Sequence, residues 1–366
     1  MSFSAQHVVP APRTDVWAWH TRPGALTRLN APFAFMTPVQ QAQSLGDGTS
    51  ILRLPGGLQW KAQHVLSRYQ EGYSFSDECV NSPLRQLTQW RHTHTFAEDP
   101  AGTRVTDEVD TRVPSAALKS VFAYRQHQLI EDFAFFKRLR DAGLNTRPLT
   151  IAMTGSRGSV GTALTAQLRT AGHTVIQLVR GKAGSGQRHW NTNLPDPHLL
   201  DGVDVLVHLA GEPIFGRFNE EHKAAIRDSR VGPTRSLARI AGETPSVKAM
   251  VCASAIGFYG ANRGEEVLTE DSEPGEGFLA DVVRQWEDAC EPARAAGTRV
   301  VNIRTGIAMS GGSGLLPLLR ALFSTGLGGP FGDGKFWFSW VAIDDLTDAY
   351  LSLIHISEPT RLRRIS

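Results

Sequence analysis

Cysteine is scarce in this chain of 366 residues: Cys79, Cys252 and Cys290 lie far apart. That spacing excludes a disulfide framework and a cysteine-based metal site. Charge of one sign is also lacking. The net charge is +2, and aromatics do not interleave with basic runs, so neither nucleic acid nor a membrane surface is an expected partner. No apolar stretch approaches the roughly 20 residues a membrane helix needs. The opening residues show no charged-then-apolar signal pattern, and the expectation is a cytoplasmic protein in a reducing compartment. With 41% hydrophobic and 20% charged residues, the composition is that of a globular protein long enough for two domains.

The chain changes character near Asp141–Pro148. Before it, SAQHVV opens as a strand and a helix is expected over Pro12–Trp19, followed by loops around Pro32 and Pro38. Strands are expected at Gln59–Ser67, Gly72–Cys79, Gln86–Phe96 and Thr103–Val113, each a polar–apolar mixture bounded by turn residues. Ser115 is placed to cap a long helix on which Leu118, Phe122, Leu129, Phe133 and Phe136 share a face. His92 and His94, two apart on a strand, would share a face and could reach one ion. No third ligand is visible at a sensible spacing. They are therefore read as polar positions on a half-exposed strand, with no metal site expected.

The segments VWAW, FSDECVNSPLRQLTQWRHTHTF and FAYRQHQLIEDF make residues 3–140 resemble the START-like (SRPBCC) helix-grip domains, an α+β fold. Such domains often enclose an apolar cavity. The resemblance implies a lipid-like ligand or, equally, a filled core and a scaffold role. The expected domain spans residues 1–145.

A second domain is expected over residues 149–352. Leu149–Thr154 reads as a buried parallel strand, followed at once by Gly155, Ser156, Arg157, Gly158, Ser159, Val160 and Gly161. Val160, Leu164 and Leu168 then give a helical stripe, Gly172 a helix end, and Thr174–Val179 the next strand. Chemistry requires this order. One glycine turns the chain out of the strand, a second admits a pyrophosphate, and the third lets helix and strand pack closely. The helix N-terminus then faces the anion with free N–H groups. Strand, loop, helix and second strand in register predict a doubly wound α/β Rossmann fold. Thr154 and the loop, with Leu209, Ala210 and Gly211 at the end of DVLVHLAG, are the candidate cofactor contacts. Where an acidic residue would select NAD, the second strand ends in Arg180, and Arg157 lies in the loop. Two arginines suit a 2′-phosphate, so NADP(H) is expected ahead of NAD(H).

TGSRGSVG with HLAGEP resembles the extended short-chain dehydrogenase/reductase superfamily. IRDSRVGPTRSL, SAIGFYG, LTEDSEPGEGFLADVVRQWE, NIRTGIAMSGGSG and GGPFGDGKFWFSWVAIDDL make residues 149–351 similar to its atypical NAD-dependent epimerase/dehydratase-like group. The resemblance implies a small-molecule substrate but not which one. The wider superfamily generally uses a Tyr and a Lys four residues later, the pair for proton relay. Phe278 and Val282 stand there, and Ala255 occupies the expected Ser position. The group itself shares the loss of the Tyr–Lys pair. Ser254 and Tyr259 remain as catalytic candidates, with Arg304 and Trp340 for substrate. Asp344 and Asp345 are read as helix-capping residues. Three functions stay open: an NADP(H)-dependent oxidoreductase or epimerase, a noncatalytic NADP(H)-binding sensor or scaffold, and ligand carriage by the N-terminal domain alone. Residues 353–366 depart from the family pattern, which leads to the expectation of a truncated C-terminus with a non-native or disordered tail.

Overall fold

Alternating exposed and covered positions begin at the N-terminus, in strand β1 (Ser2–Val9). The computed structural model describes residues 2–144, 147–330 and 332–356. It divides into two units, with the main division between residues 146 and 147. In the first, β1 is followed by α1 (Arg13–Thr21), α2 (Ala25–Leu29), β2 (Thr37–Gln40), β3 (Thr49–Arg53), β4 (Gln59–His64) and β5 (Ser74–Cys79). Then come α3 (Leu84–Thr88), β6 (Arg91–Asp99), β7 (Gly102–Asp110) and α4 (Ser115–Asp141). The seven strands form one antiparallel sheet in the order β1-β7-β6-β5-β4-β3-β2.

Helix α4 buries Leu118, Phe122, Leu129 and Phe133 on one face, as the helical spacing predicts. Val16, Trp17, Trp19, Phe75, Phe96 and Val105 complete the core around Leu129 and Phe133. Three local expectations need correction. The strand expected over Gln86–Phe96 starts only at Arg91, because Leu84–Thr88 is helical and Gln89 ends that turn at φ 46°. Pro38 lies in β2, not a loop; β2 is an edge strand, where the missing N–H costs no ladder bond. Ser115 is the first helical residue, not the cap. Pro114 holds the cap position and no side chain caps the helix.

The second unit contains β8 (Thr150–Thr154), α5 (Ser159–Thr170), β9 (Thr174–Val179), β10 (Gln187–His189), β11 (Val205–His208), α6 (Glu220–Asp228), α7 (Val231–Glu243) and β12 (Ala249–Ala255). It continues through α8 (Phe278–Asp288), α9 (Glu291–Ala295), β13 (Arg299–Thr305), β14 (Ile307–Met309), α10 (Leu315–Ser324), β15 (Trp340–Ala342) and α11 (Ile343–His355). Six strands form a parallel sheet in the order β10-β9-β8-β11-β12-β13. Counted along the chain this is 3-2-1-4-5-6, the doubly wound Rossmann order, with its switch point between β8 and β11. Leu206, Leu237, Met250, Trp286 and Cys290 pack its core. β14 and β15 form a separate parallel pair. No residue of α10 is buried, and Leu318, Phe323 and Trp337 are exposed. Asp344 and Asp345 fall in the first turn of α11, favourable to its dipole, but the cap position expected of them is held by Ala342. That helix runs to His355, with Ile354 and His355 buried, so the boundary expected at 352 falls inside it. The rest of the expected tail, 357–366, lies outside the described residues. Among the described residues no helix is long and apolar enough to cross a membrane.

Candidate cofactor and active site

All six parallel strands end at one edge of their sheet, and the sequence candidates before β14 gather there. At the switch point β8 runs into Gly155, which adopts φ +66°. A Cβ there would meet the Leu209 carbonyl at 2.8 Å. Gly161 is tighter still, since its Cβ would lie 2.2 Å from the Gly155 carbonyl oxygen. Gly158 has room by comparison, with a nearest contact of 3.3 Å, and its N–H closes the turn on Gly155 O at 3.0 Å. Arg157, Gly158 and Ser159 are exposed at the start of α5, so the helix N-terminus opens to an anion. Arg180 follows β9, the strand paired with β8, and is also exposed. The loop therefore fits a dinucleotide: two glycines make the turn and the third leaves the approach clear, with Arg157 in the loop and Arg180 just past the paired strand.

A buried relay that sequence reading missed braces this loop. The Thr154 hydroxyl oxygen accepts N–H bonds from Leu209 (3.1 Å) and Ala210 (3.2 Å). Its own proton is then free for His208 Nδ1 at 2.7 Å, which leaves His208 Nε2–H to donate to Thr234 Oγ1 at 2.9 Å. Trp286 Nε1 donates to the same Thr234 oxygen at 3.0 Å. The chain ties the ends of β8 and β11 to α7 and α8. A polar His inside the buried run of β11 was the available signal.

Burial, with a smaller contribution from Arg230, lowers the His208 pKa to about 4. An unfolded histidine titrates near 6.5. Below that pH the unfolded chain takes up a proton that the native state refuses. The stability from this site is thus complete above about pH 6.5 and drains as pH falls toward 4. The loss is about 3 kcal/mol at one unit per 1.4 kcal/mol. His20 in the first unit, lowered to about 4 mainly by burial, adds the same trend there. Unfolding measured from pH 7 to 4 should show a shallower decline in His208→Gln than in the parent; parallel curves would refute the assignment.

Ser254 is the penultimate residue of β12 and Tyr259 closes the helical turn Ile256–Tyr259 that follows. Both are buried and meet Arg304 of β13: Ser254 through Glu287 of α8, another residue sequence reading missed, and Tyr259 directly. Arg304 grips Glu287 with two bonds of 2.9 Å, and Ser254 Oγ donates to the same carboxylate. Arg304 Nη1 also donates to Tyr259 OH at 3.1 Å and to Glu270 O at 3.2 Å. Its guanidinium lies 3.4 Å over the Phe258 ring. The Glu287 hydrogen bonds raise the Arg304 pKa above its ordinary value. Arg304 thus acts first as a bracket between Glu287 and Tyr259. Trp340 lies on β15, paired with Ile307 just past the end of β13, and is 60% exposed. Val282 is buried beneath α8, and Phe278 packs edge-on to Phe218. Neither can move a proton.

In the first unit, His92 and His94 are buried, not half-exposed, and both turn inward. They line a cavity of about 510 Å³ with His20, His64, Phe75 and Asp77.

A parallel sheet of this order, with a glycine turn at its switch point, defines a dinucleotide-binding α/β unit. Residues 151–360 match the NAD dependent epimerase/dehydratase family, and the chain belongs to it. An epimerase family protein of Mycobacterium bovis is 42% identical over 199 residues, 53% of this chain. That match spans 65% of the mycobacterial protein, less than two thirds of its length. A solved structure described as the nucleoside-diphosphate sugar epimerase from Corynebacterium glutamicum is 53% identical. It covers 96% of this chain and 75% of its own, with a TM-score of 0.90. The human epimerase family protein SDR39U1, solved with NADPH, is 32% identical over 54% of this chain and 68% of its own, at a TM-score of 0.49.

Proposed function

We propose that the chain binds NADP(H) at Gly155–Gly161 and performs epimerase- or oxidoreductase-type chemistry on a small molecule. The observation that carries this reading is the glycine turn at the sheet's switch point, with Gly158 and Arg157 exposed in it and Arg180 exposed at the end of the neighbouring strand β9. Bound there, the cofactor supplies hydride transfer at its nicotinamide. The arginines hold the 2′-phosphate, and Leu209, Ala210 and Gly211 form the wall at the end of β11. Tyr259 donates the proton, held in place by Arg304, and Ser254 fixes the Glu287 carboxylate that aligns Arg304. Family membership supports a small-molecule substrate, as does the description of the Corynebacterium structure as a sugar-nucleotide epimerase. The N-terminal unit is proposed as a START-like helix-grip module whose cavity takes an apolar ligand, and the compartment as cytoplasmic. A noncatalytic sensor is the second reading, favoured by Phe278 and Val282 at the positions of the usual Tyr and Lys.

Titration with NADPH and NADH tests the cofactor. NADPH should bind tighter, and Arg180→Asp should weaken NADPH by about ten- to a hundredfold, the scale of one charged hydrogen bond. NADH should change little. Equal affinity for the two cofactors in the parent would remove the 2′-phosphate reading.

A further inference from the structure

The cavity of the N-terminal unit ends in a cluster of histidines and carboxylates, which the cofactor chemistry does not use. In the sheet, β5 and β6 pair antiparallel and set Asp77 directly opposite His92. Asp107 of β7 comes from the other side, in register with His94. His92 Nε2 and His94 Nδ1 both lie 2.9 Å from one oxygen, Asp107 Oδ1. With one ring nitrogen of each histidine turned to Asp107, the second nitrogen faces away from that carboxylate and is the one available to an ion. On His92 that nitrogen is Nδ1, which sits 3.6 Å from Asp77 Oδ2. This is too long for a hydrogen bond and close to the separation of two donors on one ion. One ligand atom from each of Asp77, His92 and His94 can be chosen so that all lie within 4.8 Å of one another.

We propose that Asp77, His92 and His94 bind one divalent transition-metal ion of the zinc class, with Asp107 as the carboxylate that orients both imidazoles. Two histidines and one carboxylate make an N₂O donor set suited to such ions. A carboxylate behind each ligating histidine fixes the ring and raises its basicity. All three ligands line the cavity, so the remaining coordination positions open into it. The charge balance is favourable: Asp77 and Asp107 supply two negative charges, against the guanidinium of Arg125, which also lines the cavity. His20 and His64 border the same space, but each uses Nδ1 on a backbone carbonyl, of Val16 and Leu45. The stack of Phe75 on His94, with centroids 4.2 Å apart, holds the His94 ring in its plane. This inference is independent of the NADP(H) reading, because it concerns the other unit.

The test uses full-length protein without a polyhistidine tag, stripped by chelator and dialysed. Titration with Co²⁺ should give visible absorption bands that saturate at one ion per chain, and Zn²⁺ should displace them. His94→Gln and Asp77→Asn should each weaken Co²⁺ at least about a hundredfold. Asp107→Asn should weaken it about ten- to a hundredfold, as loss of an outer carboxylate does. His64→Gln, in the same cavity, should leave the affinity unchanged. Circular dichroism identifies any variant that fails to fold. Asp77 is the ligand nearest solvent, so Asp77→Asn decides the matter if His94→Gln is lost. Absence of stoichiometric Co²⁺ binding, or parental affinity in folded Asp77→Asn, overturns the proposal.

Discussion

Gly161→Ala is expected to lower the unfolding temperature of the Rossmann unit and to lose NADPH binding. Gly158→Ala should lose the cofactor alone. The difference lies in what each new methyl group meets. At position 161 it falls 2.2 Å from the Gly155 carbonyl oxygen and 2.7 Å from the Ser156 Cα. Both are backbone atoms, which cannot swing aside as a side chain could, so the loop or the helix must shift. Overpacking of this kind costs about 1–3 kcal/mol. The same shift displaces the N–H groups that would face the pyrophosphate. At position 158 the nearest atom is 3.3 Å away and the residue is exposed, so the fold can absorb the methyl group. The obstruction there falls on the ligand. Calorimetry and a fluorescence titration with NADPH separate the two effects. A Gly161→Ala protein with parental stability and affinity would contradict the turn described here.

Tyr259→Phe should slow turnover about a hundred- to ten-thousandfold, the range of a lost general acid, with NADPH affinity nearly unchanged. The ring stays, so packing with Phe258 at 5.3 Å is kept. Arg304 loses one acceptor but retains Glu287 and the Glu270 carbonyl. Because Arg304 donates to the Tyr259 oxygen, the phenol proton is available for donation outward. The measurement is kcat on a substrate found with the parent protein, nucleoside-diphosphate sugars being screened first. Unchanged kcat would remove Tyr259 as the acid and leave Ser254 to be tested next. No turnover by the parent protein on any substrate would instead favour the sensor reading.

The cofactor loop was legible because its requirements are local. Each glycine is dictated by neighbours within a few residues or by one adjacent strand, and the buried strands read as apolar runs. Partners remote in sequence were not legible. Arg304 is legible in the sequence as a substrate candidate, yet Glu287, which fixes it, lies in a helix singled out for what Phe278 and Val282 lack. His208 looked like part of an ordinary strand until Thr154 and Thr234 closed around it. The histidines of β6 were read as half-exposed since strand alternation cannot say which face is covered. Asp77 was missed as their neighbour because strand register is not written in either segment alone. Trp340, singled out on residue type, lies on β15 opposite Ile307, just past the end of β13.

The 3-2-1-4-5-6 strand order also sets a timetable for synthesis. β8, the first strand of its sheet to leave the ribosome, belongs in the interior, and its second neighbour β11 arrives only after α5, β9 and β10. Until then one edge of β8 is unpaired, and the Thr154 hydroxyl has neither the N–H groups of the β11 turn nor His208. Pairing of this non-local kind is slow and leaves strand edges open to misassembly. The nucleotide loop is therefore among the earliest segments of its unit to be made, yet it stays unbraced until β11 arrives, with β12 and β13 still to join the sheet.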